Sequence, residues 1–201
     1  MEILKTRRDS APPKVATLLT GWEINQILIS TDFGNGSLNR IIVSRKPPEG
    51  GTQDALISTG DSETGIWLWH TRDARNAIIR LYFVTGARRL YFNPDSEAIF
   101  AVTSTLNRLL SVQAIDLSSH IVSFERIQTA AHMFHGLENV GAILAHPGLL
   151  LPSGAVTTDM FRRCANLTGG AGTRWDSSHI DGEYARIDNP PDSPGYFTEA
   201  T

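Results

Sequence analysis

The sequence predicts a mainly β protein: a sandwich or barrel of about seven short strands, then a C-terminal helical segment and an extended C-terminal arm, with α+β as the alternative. Three observations carry this expectation. From Val15 to about Val102, short runs rich in β-branched and aromatic residues alternate with turn residues. After Thr103 the apolar spacing lengthens to three and four, the period of a helix face. From Gly170 onward the chain becomes acidic and short of aliphatic residues, too poor to build a core of its own.

The first twelve residues are polar and run into Pro12-Pro13, as an arm leading into a fold would. Seven segments then have strand length and composition: "VATLLT", "WEINQILIST", "LNRIIVSRK", "GIWLWHT", "AIIRLYFV", "RRLYFN" and "EAIFAVT". Asn35-Gly36 is a two-residue hairpin signal, and "KPPEGGTQD" reads as a loop. In "GIWLWHT", Ile66, Leu68 and His70 alternate with Trp67, Trp69 and Thr71, so both faces are apolar and a central position is expected.

"STLNRLLSVQAIDLSS" starts with helical spacing and could continue as a strand. In "SFERIQTAAHMFHG", Phe124, Ile127, Ala131 and Phe134 fall on one helical stripe, with Ser123 placed to cap its start and Gly136 its end. "TTDMFRRCANL" reads as a short helix opened by Thr157 or Thr158 and closed before Gly169-Gly170. No internal repeat is apparent at the periods that signal solenoids. The expected organisation is an N-terminal arm over 1–12, one β-rich domain over 13–169 with helices after about 104, and an acidic arm over 170–201.

Composition narrows the function. With 201 residues, 41% of them hydrophobic, the chain can bury a real core. A net charge of −3 offers no basic surface for phosphate backbones or anionic lipid, so neither nucleic acid nor membrane is an expected partner. The amino terminus lacks the apolar run of a signal peptide, and no stretch approaches the roughly 18 apolar residues of a membrane span. A soluble protein without signal peptide is expected, cytoplasmic or within an assembled particle. The single cysteine, Cys164, rules out an internal disulfide and Cys-rich zinc modules.

Chemical motifs are sparse. His132 and His135 lie three apart in "HMFHG", with His146 further on; these are weak candidates for a metal site that Asp159 or Glu138 could complete. Helical zinc ligands more often lie four apart with a glutamate between them, and this spacing has neither feature. No cofactor is otherwise expected. Cys164 follows Arg162 and Arg163, which would favour a thiolate, yet Phe161 and Leu167 beside it suit a small buried hydrophobe. Asp32-Phe33-Gly34 lacks the companions of a kinase motif, and the glycines of "LTGGAGTRW" follow a helix where a phosphate loop would precede one.

Two sets of aromatics remain. Trp67 and Trp69, with Arg72 nearby, could form a ligand-binding face, with core packing as the competing use. Trp175, Tyr184, Ile187, Tyr196 and Phe197 are spaced like anchors that dock the acidic arm in pockets of a neighbour. The function expected from the sequence is therefore a non-catalytic structural or assembly subunit, such as a particle or virion component. It would multimerise with other copies, or dock on a protein partner, through polar terminal arms. The alternatives are a metal-dependent hydrolase on His132, His135 and His146, and a carbohydrate or small-ligand module on the strand aromatics.

Overall fold

Backbone hydrogen bonds between segments far apart in sequence stack this chain into successive coils. The computed structural model describes residues 14–30, 38–102 and 108–200; the N-terminal arm, Asn35-Gly36 and Asp32-Phe33-Gly34 lie outside the described residues. In chain order the elements are β1 (Val15–Thr17), α1 (Gly21–Ser30), β2 (Arg40–Ser44), β3 (Thr52–Leu56), β4 (Trp67–Arg72), β5 (Ile78–Val84), β6 (Arg89–Tyr91), β7 (Ala114–Leu117), β8 (Val122–Ser123), β9 (Ala142–Ala145) and β10 (Phe197–Glu199). Short 3₁₀ turns cover Arg108–Ser111 and Gly182–Tyr184. The protein is thus strand-rich with mixed α/β content.

Two sheets result. The smaller has the order β1-β6-β8 and the larger β10-β9-β7-β2-β5-β4-β3. Every pairing is parallel except β3 with β4 and β4 with β5, which form a meander at one edge of the larger sheet. Each full coil runs from a strand of the smaller sheet, through a wall of tight turns, to a strand of the larger sheet. Parallel strands need such crossovers, and here stacked turns supply them where a helix is more usual.

The wall explains the register. Ser96, Ala98, Phe100 and Val102 donate their N–H groups to the carbonyls of Thr129, Ala131, Met133 and His135 at 2.8–3.0 Å. One level on, Ala130, His132, Phe134 and Gly136 donate in the same pattern to Val156, Thr158, Met160 and Arg162 at 2.7–2.9 Å. Equivalent residues therefore lie above one another. Phe100, Phe134 and Phe161 form a column of stacked rings, 5.7 and 5.5 Å between centroids and within 12° of parallel. Ala98, His132 and Asp159 form another, and all three have left-handed backbones with φ of 57°, 57° and 54°. The corner demands that conformation whatever side chain it carries. Asn139 and Asn166 complete the repeat, each donating its amide across to the preceding level, at Leu110 and Glu138.

The ends are closed by the chain itself. At one end α1 lies on the first wall segment: Gly21 donates to the Asp95 carbonyl at 2.8 Å, and the buried Asn25 amide reaches the carbonyl of Ala101 at 3.0 Å. A Cβ on Gly21 would come within 2.1 Å of the Glu97 carbonyl, so only glycine permits this docking. At the other end Phe161 donates to the Ile180 carbonyl, and the Asp181 carboxylate accepts from the Asp159 N–H.

Several sequence expectations change. Residues 22–30 of "WEINQILIST" are helical, because Gly21, Ile24, Asn25 and Leu28 are buried on one face at helical spacing and Thr20 with Glu23 forms a capping box. Residues 97–102 of "EAIFAVT" are wall turn, and part of the expected loop "KPPEGGTQD" belongs to the edge strand β3. The segments read as helices, 123–136 and 157–167, contain none. They turn through three-residue-spaced bonds such as His135 to His132, and the left-handed residues at His132 and Asp159 break any right-handed run. Phe124, Ile127, Ala131 and Phe134 are still buried, since the coil points the same side chains inward. An internal repeat does exist. Its spacing is unequal, 34 residues from Phe100 to Phe134 and 27 from Phe134 to Phe161, so no fixed period reveals it.

The C-terminal segment is also different from an arm reaching to a neighbour. Tyr196 and Phe197 are fully buried in this chain's own core, where their rings meet Phe161 at 5.2 and 6.2 Å. Trp175 is half-buried and donates its indole N–H to the Phe161 carbonyl at 2.8 Å, and Tyr184 and Ile187 also pack on the core. Hydrogen bonding replaces the missing aliphatic residues as the organiser. The Asp188 carboxylate accepts from the N–H groups of Ala171, Thr173 and Gly195 and from the Thr173 hydroxyl. Burial pushes this carboxyl up, but those bonds outweigh it and hold it below the ordinary carboxylate value.

Candidate functional site

The stacked columns create the most distinctive surface of the molecule. Where the level of His132 and His135 carries two imidazoles, the level below it carries Ala98 and Ala101, which are equivalent in register. Two small residues beneath two large ones leave a notch. Trp22 of α1 closes it from the other side, and together they bound a cavity of about 630 Å³. Asp95 and Glu97 line its acidic flank and Arg163 its basic end. Such a volume lies within the range of about 300–1,000 Å³ common for ligand sites.

Trp22 is 56% exposed because it projects from the flank of α1, beside the face that buries Ile24, Asn25 and Leu28. His132 and His135 stand edge to face, 5.5 Å between ring centroids. Asp159, one level on in the His132 column, brings a carboxylate to both: one ligand-capable atom from each of the three lies within 4.8 Å of the others. Among the described residues no other group brings three such side chains together. Burial, with the neighbouring His132 and the Arg162 and Arg163 guanidiniums, holds His135 below its ordinary value of 6.5, while Asp159 acts in the opposite sense. The Arg162 guanidinium donates to Asp159 at 3.0 Å, and Arg163 pairs with Glu138.

Comparison with known proteins finds no matching family model, curated protein or solved structure. Inference therefore rests on the side chains themselves.

Of the residues singled out from the sequence, His146 does not join His132 and His135. It is buried with Nε2 3.0 Å from the Val122 carbonyl, Nδ1 accepting from the Gly148 N–H, and its ring against His120. Glu138 is engaged by Arg163, which leaves Asp159 as the third member. Trp67 and Trp69 share the outer face of β4, opposite the buried Leu68 and His70, with Leu56 and Tyr82 as their cross-strand neighbours. Arg72 is committed elsewhere: its Nε donates to His70 Nε2 at 3.1 Å and its Nη1 to the Asn76 carbonyl, while Asp54 holds His70 Nδ1 at 2.8 Å. Trp22 gives no sequence signal, since within a strand its exposure would be ordinary.

Cys164 is buried beneath the wall, its thiol donating to the Phe134 carbonyl at 3.1 Å, and desolvation pushes it up to about 12. It cannot supply a thiolate at neutral pH. The native protein is expected to leave a thiol-specific disulfide reagent unreacted until denaturant is added. Stoichiometric labelling of folded protein within minutes would contradict the burial.

Proposed function

We propose that the protein is a non-catalytic assembly subunit whose docking face is the outer side of the wall around Trp22, rather than the C-terminal segment. One observation carries the reading: Trp22, a large ring more than half exposed, stands over the notch formed by Ala98 and Ala101. Exposed tryptophan beside a concave surface is the chemistry of an interface anchor. Val156, 53% exposed, extends apolar surface to the far levels of the same wall. Cys164, the one thiol of the chain, is buried outside this site and desolvation raises its pKa, so it does not favour a cysteine-nucleophile reading.

Light scattering tests this directly. The full chain at micromolar concentration is expected to exceed the 22.0 kDa of one subunit, and Trp22→Ala to return it toward that mass without changing its thermal melt. A wild-type chain that stays at the single-subunit mass, or an assembly indifferent to Trp22→Ala, defeats the reading.

A further inference from the structure

We propose that His132, His135 and Asp159 form a binding site for one divalent transition-metal ion of the zinc class. The proposal stands apart from assembly, since it needs neither a second copy nor an occupied notch.

The coil supplies the geometry. His132 and His135 sit three residues apart across a left-handed corner, and Asp159 occupies the same corner one level on, so residues up to 27 positions apart in sequence converge within 4.8 Å. A zinc ion about 2.0–2.2 Å from each ligand atom holds those atoms about 3.3 Å apart in tetrahedral geometry. The remaining contraction is within reach of side-chain rotation, because all three residues are only part-buried. Two imidazoles and one carboxylate suit borderline divalent ions of the first transition row, and a calcium or magnesium ion would lack the oxygens it needs.

One further feature favours an ion. His135 Nδ1 is buried with no hydrogen-bond partner, so this ring is not fully committed to the protein's own hydrogen bonding, unlike His70 and His146. Of the nearby guanidiniums, Arg163 is paired with Glu138, and Arg162 donates to one oxygen of Asp159, as an outer partner that orients a ligating carboxylate does, which leaves the other oxygen for the ion. Three protein ligands leave the ion an open position.

Calorimetric titration of the untagged full chain with Zn²⁺ provides the test. The expected result is saturable binding of one ion per chain, weakened roughly tenfold or more in both His132→Asn and Asp159→Asn, and unchanged in His179→Gln, which lies outside the cluster. Asparagine is chosen because it tolerates the left-handed backbone at both corners. Co²⁺ titration of the wild-type chain reads the site without any variant: visible d–d absorption of a tetrahedral nitrogen-oxygen site is expected. No saturable binding, binding that survives both asparagine variants, binding equally lost in His179→Gln, or a featureless Co²⁺ spectrum would each overturn the proposal.

Discussion

Phe134→Ala is expected to cost about 3–5 kcal/mol, a large part of the roughly 5–15 kcal/mol that stabilises an ordinary domain. Phe134 is fully buried and is the middle ring of the wall column, stacked on Phe100 on one side and Phe161 on the other, with the edge of Phe197 a third neighbour. Its loss opens a hole shared by three levels, and the backbone bonds between levels prevent the wall from collapsing to fill it. Thermal unfolding should fall by about 10 °C, given roughly 2–4 °C per kcal/mol at this chain length. Phe134→Leu should fall by much less. Equal melting of alanine variant and wild type would mean that the column does not hold the levels together.

Deleting residues 172–201 is expected to abolish cooperative folding, and not merely to weaken association. The deletion removes Tyr196 and Phe197 from the core, takes β10 from the edge of β9, and strips the indole of Trp175 from Phe161. It also leaves the Ala171 N–H without its Asp188 acceptor. Far-UV circular dichroism through a thermal melt distinguishes the outcomes. A truncated chain that melts in one sharp transition near the wild-type temperature would restore the arm reading, in which these rings serve a neighbour.

What the sequence makes legible follows from the range of the forces involved. β1, β2, β4, β5 and β6 fall inside runs whose β-branched and aromatic residues favour strands locally. α1 is locally legible too, through the Thr20-x-x-Glu23 capping box, but the isoleucines and leucine of "WEINQILIS" read equally well as a strand. The wall is illegible by period, because stacking between levels decides its conformation and the levels differ in length. A trace of it survives in the Met-Phe pairs at 133–134 and 160–161 and in Asn139 and Asn166. The C-terminal rings read as anchors, and anchors they are, but their pockets belong to the same chain.

The site divides along the same line. His132 and His135 stand out as neighbours in sequence. Asp159 joins them only through the register between levels, which no local pattern encodes. His146 is closer along the chain yet falls on a different part of the coil, held at the end of β8 by the Val122 carbonyl.

Closure at both ends has a consequence for how copies of this protein could meet. A stack of parallel rungs normally presents a row of unpaired amides and carbonyls at its last rung, an invitation to indefinite growth. Here the wall's first rung is plugged by α1, and β10 is flanked on its far side by residues 186–188 through bonds to Phe197. The exposed edge of the β3–β4–β5 meander is interrupted by a bulge between Gln53 and Ala55. Adding rungs at α1 or beyond β10 would require one molecule to surrender its own plug, which favours copies meeting flank to flank over filament growth at those ends.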